Sequence, residues 1–331
     1  MEPNALKTGT ITTTERLFNP TTRLPTALID VSRLFPSLPP KTTILAKLSG
    51  GNIKSLPVFN MLAEAQKRGE LEGVDTLVEA TSGNTGEQLT ILAKFFGIKN
   101  VVTIVPEDIA PGKLQRLHIA GAKIKYSNEG ERATDTARRL GKRPGWLNLD
   151  QYTNADNWGA FEKFFAPEVW QQTNGGLTIF CATLGTTGTL LGCEKFFKTL
   201  DQKPCILGAT CDTLDQVPGA RSTKRLAEIG FDCKTATFPI ELDISAPISF
   251  SMSMVLNRHN VLAGPTSGLA CYALLRFIYR THREKKLDQY RNKEGDVVAV
   301  FVCPDTPLPY LDKYTTHLPG YKPVEEVTKF L

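Results

Sequence analysis

The chain has 331 residues, 41% of them hydrophobic and 22% charged, with a formal net charge of +5. That length accommodates two lobes of roughly 150 residues each around substantial cores. The basic residues are scattered among Asp and Glu, which argues against a nucleic-acid footprint, and no apolar run approaches the roughly 18 residues of a membrane span. The seven cysteines are dispersed without a CxxC pair, the pattern of reduced thiols in a cytoplasmic protein. The four histidines (His118, His259, His282, His317) have no zinc-ligand spacing, so no metal is expected. The N-terminal stretch MEPNALKTGTITTTERLFN lacks an apolar core, so no secretory signal is expected there.

Residues 1–41 are polar and rich in Pro and Thr, and read as an arm packing on the larger lobe. The smaller lobe is expected over 42–150 and the larger over 151–331. A short strand at 44–48 leads into the turn SGGN (49–52), and apolar spacing predicts a helix from Ser55 to Gly69 with Pro57 in its first turn. The apolar run Thr76-Leu77-Val78 predicts a strand, followed by the turn EATSGNTGEQ (79–88) and a helix through LTILAKFFG (89–97). The β-branched run VVTIV (101–105) suits a strand buried on both faces. A helix at 113–119, a strand at 123–126 and a helix at 132–140 continue the alternation.

The Asn- and Asp-rich segment 147–161 reads as a loop crossing between lobes. A second series follows: strand LTIFCA (177–182), loop TLGTTGT, helix 190–200 and strand CILGAT (205–210). Residues 211–260 show no regular period; the amphipathic helix LACYALLRFIYRTHREK and the buried strand VVAVFVCP (297–304) close the series. Strand–helix alternation with short turns predicts parallel, doubly wound α/β sheets.

Two junctions carry chemistry. In EATSGNTGEQ a strand, a tight turn and a helix place backbone N–H groups at a helix N-terminus, a geometry that binds anions without a cationic side chain. Gly185-Thr186-Thr187-Gly188-Thr189 repeats the arrangement and suits a single terminal phosphate; the alternative is a plain Thr/Gly turn. Neither a GxGxxG fingerprint nor a GxxxxGK[ST] loop occurs, which weakens a nucleotide-binding reading. Lys54 follows the glycine turn Gly50-Gly51 and precedes a helix. A lone lysine is ordinarily a surface residue, but one desolvated beside dipolar neighbours has a depressed pKa and can act as nucleophile or proton carrier.

The ordered set GGNIKS (50–55), EATSGNTG (79–86), DQYTNADNW (150–158), GTTGT (185–189), GPTSG (264–268) and PDTPLPYL (304–311) resembles the cysteine synthase/cystathionine β-synthase family of pyridoxal-phosphate enzymes. The resemblance covers residues 25–315 and implies the tryptophan synthase β-like fold, fold type II. It implies that Lys54 holds pyridoxal 5'-phosphate covalently and that Gly185, Thr186, Thr187, Gly188 and Thr189 hold its phosphate. Asn84 would bond the ring hydroxyl and Thr266 would face the pyridine nitrogen, where a neutral hydroxyl does not enforce ring protonation. Thr81, Ser82, Gly83, Thr85 and Gln151 would bind the substrate carboxylate.

The chain departs from the family at several points. Asn52-Ile53-Lys54-Ser55-Leu56 replaces the usual Ser-Val-Lys-Asp-Arg, GTTGT replaces GTGGT, and Thr266 replaces a serine. The activity implied is β-replacement on O-acetylserine or O-phosphoserine with sulfide, as in cysteine biosynthesis: a transferase/lyase in which Lys54 moves the Cα proton. Arg221 is a candidate partner for a phosphorylated leaving group, against the plainer reading of a solvated loop arginine. Serine/threonine β-elimination, a diaminopropionate-type synthesis and a non-catalytic ligand-binding paralogue are the alternatives. A homodimer acting on small amino-acid substrates is also implied, without nucleic acid or membrane.

Overall fold

The computed structural model describes residues 14–81, 83–105, 107, 109, 111–128, 130–214 and 217–331. In chain order the strands are Leu28–Asp30 (β1), Thr42–Leu48 (β2), Thr76–Ala80 (β3), Asn100–Val105 (β4), Lys123–Tyr126 (β5) and Trp146–Leu147 (β6). Ile179–Thr183 (β7), Cys205–Cys211 (β8), Ile240–Ile244 (β9) and Val297–Cys303 (β10) follow. The α-helices are Thr14–Phe18 (α1), Ser55–Lys67 (α2), Asn84–Leu92 (α3), Pro111–Ala120 (α4), Ala133–Leu140 (α5), Ala155–Ala160 (α6) and Ala166–Gln172 (α7). They continue with Gly188–Lys198 (α8), Thr223–Ala227 (α9), Ala246–Arg258 (α10), Pro265–Arg283 (α11), Leu311–His317 (α12) and Glu325–Thr328 (α13).

The chain forms two compact units, one of Met1–Thr26 with Lys54–Ala160, the other of Ala27–Ile53 with Phe161–Leu331. The sequence expectation places the limits at 41/42 and 150/151 instead. Pairing explains the difference at the first limit. Strand β2 is parallel to β10 from Thr42↔Val297 to Leu48↔Cys303, and β1 adds to β2 antiparallel, so residues 27–53 join the second unit.

The first unit is built on a four-stranded parallel sheet ordered β5-β4-β3-β6. Its central strands read as predicted: β4 buries Val101, Val102, Ile104 and Val105, and every residue of β3 is buried. Helix α2 packs Val58, Met61, Leu62 and Ala65 with Leu77 and Leu89 in one cluster. Helix α3 begins at Asn84, five residues before the apolar spacing resumes at Leu89, so half of the turn motif is helical.

The second unit is built on a six-stranded sheet ordered β1-β2-β10-β7-β8-β9, parallel except for edge strand β1. Helix α11 buries Leu269, Leu274, Leu275 and Ile278 completely in the main core cluster, together with Phe250, Met252 and Leu256 of α10. Two segments differ from the sequence reading. The presumed loop 147–161 contains α6, and the irregular 211–260 contains α9, β9 and the thirteen-residue α10. Helix α10 hides from periodicity because it is buried on nearly all sides with Ser249, Ser251 and Ser253 inside, so no polar face contrasts with an apolar one.

Among the described residues no helix is long and apolar enough to cross a membrane, and no cluster of His, Cys, Asp or Glu is arranged to hold a metal. All seven cysteines are free thiols.

Candidate active site

In the first unit the TSGNTG turn links β3 to α3. Thr81 Oγ accepts from the N–H of Gly83 at 3.4 Å and of Gly86 at 3.2 Å, so this hydroxyl closes the turn on itself. Gly86 is needed there: a Cβ would stand 2.7 Å from Thr81 Cγ2 and 2.8 Å from Leu117 Cδ2. Thr85 donates to Gln151 Oε1 at 2.7 Å, and Gln151 Nε2 donates to the carbonyl of Ala80 at 3.2 Å. The structure therefore brings Thr81, Gly83, Asn84, Thr85 and Gln151 together around the start of α3, whose first N–H groups have no intrahelical acceptor. Ser82 lies outside the described residues. Lys54 stands at the start of α2, its carbonyl accepting from the Val58 N–H at 3.1 Å.

Residues to which the sequence pattern assigns no role support this turn. Glu79, buried at the end of β3, accepts from Asn148 Nδ2 at 3.1 Å and from the Asp150 N–H at 3.0 Å, and so fixes the segment that carries Gln151. Burial, followed by the neighbouring Asp150 charge, pushes its carboxyl up to about 8. Partial burial works against ionisation of Asp150 as well, but the Arg138 guanidinium and the Thr153 hydroxyl hold it below its ordinary value. Arg116 of α4 donates to Asn84 Oδ1 at 3.0 Å and pairs with Glu87, orienting the Asn84 amide. In the sequence Glu79 shows only as a carboxylate ending a mainly apolar strand at the head of EATSGNTGEQ.

In the second unit GTTGT joins β7 to α8. Thr187 takes left-handed angles (φ 69°, ψ −14°) and its carbonyl accepts the first helical bond, from Leu191 N–H at 3.1 Å. The neighbouring loop is fitted closely, since a Cβ on Gly185 would meet the Gly219 carbonyl oxygen at 2.5 Å. Arg221 N–H donates to the Leu184 carbonyl at 2.9 Å, and a Cβ on Gly219 would lie 3.6 Å from Thr266 Cγ2. Gly219 thus stands between the GTTGT turn and Thr266. Thr266, buried in the first turn of α11, donates to Asp305 Oδ1 at 3.4 Å. Asp305 belongs to the PDTPLPYL stretch, yet no sequence pattern assigns it a role. Arg221, Lys224 and Arg225 line a cavity of about 450 Å³ with Thr213, Leu214 and Glu228.

Residues 21–303 match a family described as pyridoxal-phosphate dependent enzyme. The chain belongs to that family. It is 32% identical to the cysteine synthase B of Pseudomonas aeruginosa over 79% of this chain and 85% of that protein. With the cysteine synthase B of Salmonella typhimurium the identity is 33% over 59% of this chain and 66% of the relative. The solved cysteine synthase of Entamoeba histolytica superposes with a TM-score of 0.76 at 19% identity, covering 99% of this chain and 96% of that one, which places the fold among the fold type II enzymes.

The family's cofactor is pyridoxal 5'-phosphate. The residues present fit it. The eleven-residue helix α8 directs its N-terminal N–H groups and dipole at the GTTGT turn, as a phosphate requires. The absence of a side chain at Gly185 leaves the close-packed turn open, and Thr266 offers a buried hydroxyl nearby.

Proposed function

We infer that the protein is a cysteine synthase-like enzyme that replaces the β-substituent of an activated serine with sulfide. Membership of the pyridoxal-phosphate dependent family, with helix N-termini suited to anions at α3 and α8, carries this reading. Bound pyridoxal phosphate supplies an electron sink that acidifies Cα–H and expels the β-leaving group. The GTTGT turn (Gly185, Thr186, Thr187, Gly188, Thr189) receives the cofactor phosphate, Asn84 faces its ring hydroxyl and Thr266 its ring nitrogen. Lys54 attaches the cofactor, and its freed ε-amine takes the Cα proton and later returns it. The start of α3, with Thr81, Ser82, Gly83, Thr85 and Gln151, receives the substrate carboxylate.

The donor is O-acetylserine or O-phosphoserine. A cytoplasmic homodimer completes the reading. The test is direct. Purified protein should be yellow, lose that colour on borohydride reduction and be colourless as Lys54→Ala; failure to take up pyridoxal phosphate overturns the proposal. A panel of both donors with sulfide, read by product identification, should yield cysteine. Pyruvate in place of cysteine would make the enzyme an eliminase.

A further inference from the structure

Helix α4 comes close to α3 because position 86 is glycine. A Cβ there would stand 2.8 Å from Leu117 Cδ2, and the Leu117 side chain is completely buried. Arg116, the preceding residue of α4, reaches α3 from this seat. Asn84 and Glu87 lie one turn apart on α3, hence on one helical face, and the guanidinium spans both. Its Nη1 donates to Asn84 Oδ1 at 3.0 Å and its Nη2 pairs with Glu87 Oε2. The Arg116 and Glu87 side chains are only 19% and 23% exposed, so this is no loose surface contact. Arg116 and Glu87 both lie outside the segments that carry the family resemblance, and the arrangement is this chain's own.

An asparagine amide can turn end for end, since its oxygen and nitrogen fill nearly the same space. Here the partner settles the choice. A guanidinium carries only donors and keeps its charge in proteins, so the atom of Asn84 that faces Arg116 is the oxygen. The donating Nδ2 is then the other branch of the amide. We propose that Arg116, anchored by Glu87, is a positioning residue that turns the Asn84 amide nitrogen-first towards the ring hydroxyl of bound pyridoxal phosphate, and so favours the ionised form of that hydroxyl. The proposal rests on the reading above that Asn84 faces this hydroxyl. Nitrogen-first, the amide serves only the lone pairs of the ring oxygen, and a bond to an ionised oxygen is roughly twice as strong as one to a neutral oxygen. Free to turn, the amide would also accept the proton of a neutral hydroxyl, and the preference would shrink.

The bound cofactor absorbs at different wavelengths with its ring hydroxyl ionised or neutral, so the ratio of the two bands reads the effect without turnover. The proteins are holoenzymes of wild type, Arg116→Met, Arg116→Lys, Asn84→Ala and the double variant of Arg116→Met with Asn84→Ala. Arg116→Met should lower the ratio of ionised to neutral form about threefold to tenfold, the equivalent of one hydrogen bond. Arg116→Lys keeps a donor without an acceptor and should stay close to wild type. Asn84→Ala should lower the ratio at least as far, and in that background Arg116→Met should change nothing more. An unchanged ratio in Arg116→Met overturns the proposal. So does an equal drop in the Asn84→Ala background, because Arg116 would then act by its charge or through the fold. A ratio indifferent to Asn84→Ala overturns the placement of Asn84 and the proposal with it, while bound cofactor leaves the enzyme reading standing. A wild type that takes up no pyridoxal phosphate overturns that reading too. Should Arg116→Met fail to fold, as a melting curve will show, Glu87→Leu decides. It removes the anchor of the guanidinium and should lower the ratio in the same sense; an unchanged ratio overturns the proposal.

Discussion

Thr85 Oγ donates its only proton to Gln151 Oε1 at 2.7 Å, tying the first turn of α3 to a segment 66 residues further along the chain. Each is then half-spent as a ligand for a carboxylate. The pair must exchange this mutual bond for one to substrate, or leave the main-chain N–H groups to do the binding. Thr85→Val removes the bond and keeps the shape. It should raise KM for the amino-acid donor about tenfold, the equivalent of one hydrogen bond of ~1.4 kcal/mol, while the yellow colour remains. Steady-state kinetics beside an absorption spectrum checks this. Loss of colour would transfer the pair from substrate to cofactor.

Glu79 makes stability depend on pH with a definite sign. Its folded carboxyl is raised to about 8, above the unfolded value of 4.5. The neutral form is the one the fold favours, so this contribution is complete below pH 4.5 and lost as pH climbs towards 8. Asp150 works in the opposite sense, since its depressed value matters only below about pH 4, where protonation costs stability. The two windows do not overlap. Melting temperatures measured between pH 5 and pH 8.5 should fall for the wild type, and Glu79→Gln should flatten that slope. An equal slope in both proteins would place the titration elsewhere.

Lys47 is completely buried in β2 and pairs with Glu168 Oε1 at 2.5 Å and with Gln172 Oε1 at 2.7 Å. Breaking such a pair strands a charge, whereas replacing both partners does not. Lys47→Ala should therefore destabilise by about 3–5 kcal/mol. The double replacement Lys47→Met with Glu168→Leu should recover most of the loss. Denaturant titration of the three proteins would show it, and a double mutant no better than the single would mean that packing, not charge, sets the cost.

Thr187 holds a left-handed backbone at φ 69°, uncommon for a β-branched residue. The strain is of the order of 1–2 kcal/mol, of which glycine's greater unfolded freedom offsets about 0.5–1 kcal/mol. Thr187→Gly should therefore raise the melting temperature slightly, and Thr187→Val should not. A drop on substitution by glycine would show that the threonine side chain stabilises the turn by more than its backbone costs.

The sequence made the sheets legible wherever burial on both faces produced continuous β-branched runs, as in β4 and β10. It made the two strand–turn–helix junctions at α3 and α8 legible because glycine and hydroxyl residues crowd between strand and helix. It hid α10, whose buried serines blur any polar face, and α6, whose Asn-rich start imitates a loop. It also hid Glu79, Arg116 and Asp305. Each acts by touching a residue far along the chain, 71, 32 and 39 positions away in the bonds to Asp150, Asn84 and Thr266, and local pattern does not encode such contacts. The domain limits were obscured for the same reason, because β2 chooses a partner at the other end of the chain.

That pairing sets a timetable. The sheet of the first unit is complete once residue 147 has been made. Strand β2 is synthesised earlier still, but its parallel neighbour β10 begins only at Val297. At about 5–20 residues per second, β2 therefore waits on the order of 13–50 s on the ribosome with an apolar edge unpaired. Factors that shield nascent chains should matter more to the yield of this protein than to one whose central strands are made together.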